Sequence, residues 1–352
     1  MVCSGVGGGV IGWLHAHEDV LACVDRDEYA CATLRRNFPE MTVVQADVTT
    51  RKGQQQVRKM MNDLKRDGVF GVSITASCAP HSSRTSLGAE LSADKIVEHE
   101  ADADVTAQAI SFFGRMFRPW VIDVENVKNF GNKPAAQNAA HNALALGFCV
   151  GTTVHSGELY GCPTPRARFS LSAFADDRVC GCDLAPPVTH PRGAPPAGDL
   201  VMDAKERYHF NRLFRELKTE SINGQRVLQR EMGELDPVKY KKPFFTIQSA
   251  SKPWACVCQG YSNPRCTTAV WKEHKRYWLW TEFFAAVVAL GFPSNYVIVD
   301  HKKITKGEAP RYERGAPDEE HKRAAKQIAG AMRPPYARAK AAHYRTIAQN
   351  LR

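Results

Sequence analysis

Apolar and polar positions alternate in short blocks along the first half of the chain. Met1 to Ser4 reads as the end of a strand running into a glycine-rich turn, and Val10 to His17 as the start of a helix. Val20 to Val24 is a short apolar run ending at Asp25. Tyr29 to Asn37 has a helical pattern, and Thr42 to Gln45 is a second short run before Asp47. A basic helix over Gln54 to Arg66 precedes a strand over Phe70 to Thr75. A helix over Val105 to Phe117 then precedes an apolar strand over Trp120 to Val124. Strands alternating with helices predict an α/β fold: a doubly wound, mostly parallel sheet with helices on both faces.

The pattern changes after Ala185 to Gly198, a stretch rich in Pro and Gly that reads as a linker or surface loop. Ala204 to Arg230 is strongly basic and predicts helix. Lys239 to Arg276 mixes aromatic, basic and cysteine residues, and Tyr277 to Leu290 predicts an apolar helix. Lys302 to Lys326 is a charged, mobile segment by composition. Ala324 to Leu351 is a final stretch that Pro334 and Pro335 interrupt. No internal repeat is visible.

Composition adds a partner class. The formal net charge is +10 over 352 residues, and excess Lys and Arg favour a polyanion because neutralising phosphates releases counterions. A solvated basic surface would carry the same charge. Hydrophobic residues make up 43%, enough for a sizeable core at this length. No run of 18 apolar residues predicts a membrane span, and the start lacks a secretory pattern. An intracellular protein, in nucleus or cytoplasm, with most of its 11 cysteines reduced is expected.

Candidate chemistry falls on the loops that follow the strands. Ser4-Gly5-Val6-Gly7-Gly8-Gly9 lies between strand and helix, where glycines let a ligand approach the backbone and a helix N-terminus offers free N–H groups. A tight turn needs glycine too. Asp25 ends the second strand about 20 residues on, where an acid suits the two hydroxyls of a ribose. That layout serves a nicotinamide cofactor or S-adenosylmethionine equally. Asp47 ends the third strand and could accept from an adenine amino group, although a lone Asp is more often a helix cap or turn residue. Cys78 sits on the loop after an apolar strand, where ligands bind in such folds. It is either an inert thiol or a nucleophile. Glu125-Asn126-Val127 ends another strand, and an acid there can hydrogen-bond a ring nitrogen. Arg166 and Arg168 would share one face of an extended segment.

In order and spacing these pieces resemble the DNA cytosine-C5 methyltransferase family along nearly the whole chain. Ser4-Gly5-Val6-Gly7-Gly8 is similar to its F-x-G-x-G-G loop, and Ser77-Cys78-Ala79-Pro80-His81-Ser82 to its P-C-Q-x-F-S loop. Glu125-Asn126-Val127 matches E-N-V unchanged. Tyr160 to Arg168 resembles Y-G-x-P-Q-x-R-x-R, Gly291-Phe292-Pro293 the late G-F-P, and Gln327 to Pro335 the closing Q-I-G-N-A-V-P-P.

The resemblance implies the S-adenosylmethionine-dependent methyltransferase fold and methyl transfer to C5 of a flipped-out cytosine in double-stranded DNA by a monomer. Cys78 would be the nucleophile, Glu125 would contact N3 and the amino group, Arg168 the O2 side, and Arg166 would support the loop. Cofactor contacts would come from Cys3, Ser4, Gly5, Val6, Gly7, Gly8, Asp25, Arg26, Asp47 and Val48. Residues 1–172 would form the catalytic and cofactor-binding domain, 173–275 a target-recognition region, and 276–352 a segment returning to the catalytic domain.

The chain departs from the family pattern at Ser77, Ala79 and His81 around the nucleophile, and at Ala329-Gly330 in the closing motif. Phe284, Ala285 and Val288 replace a usual Arg, Glu and Arg, and the chain begins inside the first motif. A catalytically weakened nucleic-acid-binding homologue and an RNA cytosine-C5 methyltransferase are therefore the alternatives. A nicotinamide oxidoreductase would rest on Asp25 alone. Cys180 with Cys182, and Cys256 with Cys258 near Cys266, are spaced more closely than the usual C-x₂₋₄-C of zinc sites, so no metal is expected.

Overall fold

A computed structural model describes residues 1–64, 70–77, 104–162, 166–193, 214–217, 245–249, 268–273, 276–280, 290–293, 296–298, 327 and 331–351. Its centre is one sheet. Strands β1 (Ala22–Asp25) and β2 (Thr42–Gln45) pair in parallel. Val2 bridges Val24 on one side and Ile74 on the other, also in parallel, and so joins β1 to β3 (Gly71–Ile74). Parallel β4 (Val121–Val127) follows, with Ile74 opposite Val124. Strand β6 (Ala167–Phe174) pairs antiparallel with β4 and with the edge strand β5 (Cys149–Ser156). The spatial order is β2, β1, Val2, β3, β4, β6, β5.

Local chemistry sets the helix starts. Helix α1 (Gly8–His15) begins after Gly7, whose φ of 84° is left-handed and favours glycine. Helix α2 (Glu28–Asn37) is capped by Asp27, which accepts from the Tyr29 and Ala30 N–H groups. Thr50 caps α3 (Arg51–Asp63) by accepting from Gly53 N–H. Helices α4 (Val105–Phe117) and α5 (Pro134–Ala145) complete this half. The C-terminal helix α6 (Pro334–Asn350) starts on Pro334 and Pro335. The prolines expected to interrupt this stretch instead open it, because the first helical turn needs no donor from them.

The two faces of the sheet differ. Ile122, Val124, Phe169, Leu171 and Ala173 share one apolar cluster with Ile110 and Phe113 of α4 and Ala139 and Ala143 of α5. The alternate residues of the same strands turn towards α6. There Ser73, Asp123, Glu125, Arg168, Ser170 and Ser172 are all buried and polar. Helix α6 also lies close on α1: a Cβ added at Gly12 would come within 2.5 Å of the Pro334 carbonyl oxygen.

A second, four-stranded sheet has the order β7 (Phe214–Leu217), β10 (Arg276–Trp280), β9 (Thr268–Glu273), β8 (Phe245–Ser249). This corrects two expectations. The run expected to form a helix from Tyr277 begins as β10, since three aromatic side chains in four residues favour a pleated strand. The basic stretch expected as helix over Ala204 to Arg230 contains β7, whose pairing with β10 overrides helix propensity. Cys149 and Cys180 are disulfide-bonded, an exception to the expectation of reduced thiols, while Cys23, Cys31, Cys162 and Cys182 are free. The expected charged segment over Lys302 to Lys326 lies outside the described residues.

Candidate active site

A cleft of about 530 Å³ opens at the carboxyl ends of β1, β2 and β3. Cys3, Ser4 and Gly5 line it from the glycine loop, Asp25 and Arg26 from beyond β1, and Asp47 and Val48 from beyond β2. These seven of the ten expected cofactor residues are brought together. Val6, Gly7 and Gly8 lie behind them and are buried. Gly8 makes room for the C-terminal segment: a Cβ there would sit 2.0 Å from the Met332 carbonyl oxygen.

The two acids are held differently. Asp25 Oδ2 accepts from Gly5 N–H at 2.8 Å and Oδ1 from Asp27 N–H at 2.9 Å. Burial pushes its carboxyl above the usual carboxylate range, and the two N–H donors pull it back in part. Asp47 Oδ1 accepts from both the backbone and the hydroxyl of Thr49, at 2.9 and 2.6 Å, while Oδ2 lies 3.9 Å from Arg26 Nη1. Asp47 thus closes the turn into α3 as well as facing the cleft. Sequence reasoning missed Asp27, Tyr29, Thr75, Val105 and Met332, which also line it. Asp27 had a legible signal as a helix cap. Val105 had none, since the first turn of a helix packed on the sheet need not face a ligand.

Glu125 lies beside this cleft. Val124 is opposite Ile74, so Glu125 stands one residue further, next to Thr75 in the cleft wall. Its carboxylate forms an ion pair with Arg168 Nε, both side chains being less than a tenth exposed. Arg168 also donates to the Ala167 carbonyl. Asn126 Oδ1 accepts from Val127 N–H, and among the described residues its buried Nδ2 has no acceptor. Arg166 precedes β6 and accepts from Gly157 N–H through its carbonyl. Cys78 lies outside the described residues, one residue beyond Ser77 of the cleft wall.

Next to Arg168 across β5 is His155, whose Nδ1 is 2.9 Å from Tyr160 Oη. Tyr160 donates to the Pro186 carbonyl, so Nδ1–H is the donor to Tyr160. Burial and the Lys340 ammonium lower the His155 pKa. Burial acts oppositely on thiols, pushing Cys31 up to about 12 and Cys162 to about 11, and raising Cys23. These three remain thiols at neutral pH. Among the described residues no group of three metal-ligating side chains occurs, and no helix is long and apolar enough to cross a membrane.

Comparison with known proteins adds the following. The family model for C-5 cytosine-specific DNA methylase matches residues 2–307. The fold is similar to Dnmt2 methyltransferase of S. pombe (TM-score 0.61, 12% identity, 99% of this chain and 97% of that one). It is also similar to the methyltransferase EhMeth of Entamoeba histolytica (0.61, 14%, 100% and 97%). A DNMT2 mutant from Spodoptera frugiperda aligns at a TM-score of 0.54 with 13% identity over 96% of both chains. A search of curated proteins gives no match.

Proposed function

The chain belongs to the C-5 cytosine-specific DNA methylase family, and we propose that it methylates C5 of a flipped-out cytosine in double-stranded DNA through a covalent adduct on Cys78. The methyl donor of this family is S-adenosylmethionine, which supplies an electrophilic methyl group.

The residues of the cleft fit such a donor. Cys3, Ser4 and Gly5 offer backbone close to a ligand, with Val6, Gly7 and Gly8 shaping the turn behind them. Asp25 offers carboxylate lone pairs beyond the two that Gly5 and Asp27 use, suited to ribose hydroxyls. Asp47 takes both Thr49 donors on Oδ1, which leaves Oδ2 for an amino group, and it lines the cleft with Arg26 and Val48.

The observation that carries the reading is the buried Glu125–Arg168 pair beside that cleft. Cytosine presents an acceptor at O2, the ring nitrogen N3 and an amino donor along one edge. Arg168 donates to O2, while the Glu125 carboxyl protonates or hydrogen-bonds N3 and accepts from the amino group, with Arg166 supporting the loop. Withdrawal of charge towards N3 makes C6 electrophilic. The Cys78 thiolate then forms the Sγ–C6 bond, and the displaced electron pair makes C5 nucleophilic. Transfer of the methyl group to C5 would leave S-adenosylhomocysteine; C5 then loses its proton to a base, the double bond reforms and the Sγ–C6 bond breaks. A base inside a duplex cannot reach such a site unless it leaves the stack.

Residues 1–172 with the C-terminal segment serve as the catalytic unit, and 173–275 as the target-recognition region, whose β7, β8 and β9 share one sheet with β10, so the boundary at 275 moves past Trp280. The net charge of +10 favours a phosphate polymer.

The test is transfer of labelled methyl from S-adenosylmethionine to cytosine-containing duplex DNA and, in parallel, to transfer RNA. Label is expected in DNA with the natural chain and not with Cys78→Ala. Equal incorporation by both would overturn the catalytic assignment. Incorporation into RNA alone would make the chain an RNA cytosine-C5 methyltransferase. Binding without incorporation would make it a nucleic-acid-binding homologue.

A further inference from the structure

We propose that Lys340 of α6 is a positioning residue for methyl transfer, because with Asp123 it forms a buried charge pair that fixes the strand segment presenting Glu125. The inference rests on the role given to Glu125 above.

Lys340 and Asp123 are the most deeply buried ion pair among the described residues, with side chains 1% and 0% exposed. The Lys340 ammonium reaches three groups. It pairs with Asp123 Oδ1, donates to Ser170 Oγ at 2.5 Å, and approaches the Val124 carbonyl oxygen at 3.5 Å. All three flank Glu125. Asp123 is two residues before it on the same face of β4. The Val124 carbonyl belongs to the peptide bond that leads into it. Ser170 is its partner across the ladder to β6, and donates in turn to the Val124 carbonyl at 3.2 Å.

Asp123 is tied on its other sides too. Tyr344 donates to Oδ1 at 2.7 Å, and Ser73 of β3 donates to Oδ2 at 3.1 Å. Tyr344 Oη lies 2.6 Å from Ser172 Oγ, so α6, β3, β4 and β6 meet at one carboxylate. The Tyr336 ring lies 5.5 Å from the ammonium and covers it.

A charge pair at this depth gains little net stability over apolar residues of the same volume, and the opposite face of the same strands is apolar. What the pair adds is direction. Hydrogen bonds of fixed geometry hold β4 just before Glu125, at Asp123 and the Val124 carbonyl, and hold its ladder partner Ser170, where apolar packing would allow a shift. A displacement of about 1 Å at a reacting group can lower a rate about a hundredfold.

The test uses the full chain with methyl-labelled S-adenosylmethionine and cytosine-containing duplex DNA, or transfer RNA if that polymer alone is methylated. Asp123→Asn with Lys340→Met removes both charges while Asn keeps an acceptor for Tyr344 and a donor for Ser73. Expected for this double variant is an unfolding temperature close to the natural chain, KM for both substrates nearly unchanged, and kcat lower by about tenfold or more. Lys340→Arg is expected to keep most of kcat. Ser170→Ala, which cuts the link to Val124 and leaves the charges in place, is expected to lower kcat without altering the unfolding temperature. It also decides the matter if the double variant does not fold.

Natural kcat in a folded double variant, or natural kcat in Ser170→Ala, would overturn the inference. Natural kcat in a Glu125→Gln control, or no transfer by the natural chain to either polymer, would overturn the reading of Glu125 and the inference with it.

Discussion

The cleft at the strand ends and the polar face under α6 both bring carboxylates into partial or full burial, by opposite means. In the cleft, Asp25 and Asp47 are held mainly by backbone N–H groups a few residues away or by the glycine loop. Under α6, Asp123 and Glu125 are held by the side chains of Lys340 and Arg168, far away in sequence. Backbone-held acids keep lone pairs turned outward for a ligand. Charge-paired acids gain a fixed direction but depend on partners that must themselves stay charged. The difference predicts that damage to the cleft shows in cofactor affinity, and damage to the polar face shows in turnover and folding.

The largest separation is expected at Glu125. Glu125→Gln should lower kcat by about 10²- to 10⁴-fold while leaving S-adenosylmethionine affinity within a small factor. Steady-state kinetics beside calorimetric titration would show it, and a parallel loss of affinity would erase the distinction between the two regions. Next is Lys340→Met alone, which strands the Asp123 carboxylate in the core. A loss of about 3–5 kcal/mol in unfolding free energy is expected, since an uncompensated buried charge remains. Denaturant unfolding measures it, and the double variant with Asp123→Asn should recover most of it.

Gly8→Ala probes the seam between the regions. The new methyl would press on the Met332 carbonyl, and a cost of about 1–3 kcal/mol is expected, again read by denaturant unfolding.

The smallest effect belongs to Asp25. Burial raises its carboxyl pKa, so on acidification it loses its charge at a higher pH than an ordinary Asp does. S-adenosylmethionine affinity should therefore weaken as pH falls through that raised range, and Asp25→Asn should flatten the profile. For folding the sign reverses. An acid raised in the folded state opposes stability above its folded pKa, and that penalty is relieved as pH falls towards the unfolded value.

The same contrast explains what could be read from the sequence. The cleft was largely legible because its residues answer local needs: glycines at a tight turn and acids at strand ends. The strands over Val20 to Val24, Thr42 to Gln45 and Phe70 to Thr75 were legible as short apolar runs. Glu125 was legible as an acid at a strand end and Arg168 as one of two arginines on an extended face, but their roles came only through the family motifs, since nothing in either residue's neighbours shows that β4 and β6 place them together. Lys340 was not legible at all. A lysine four residues from both Tyr336 and Tyr344 reads as a solvated helix position until the sheet face opposite is known to carry Asp123. The helix expected from Tyr277 failed for a related reason, because pairing with β7 and β9 decides the state of an aromatic run.

The central claim of the proposal is that Cys78 attacks cytosine C6 while Glu125 holds the base. Duplex DNA carrying 5-fluorocytosine tests it directly, since fluorine at C5 blocks the proton loss that would release the adduct. Incubation with the natural chain and S-adenosylmethionine, followed by digestion and mass spectrometry, should find the modified base on the peptide containing Cys78. The adduct should be absent in Cys78→Ala and reduced in Glu125→Gln. An adduct on another cysteine, or none in a chain that methylates ordinary cytosine, would contradict the account.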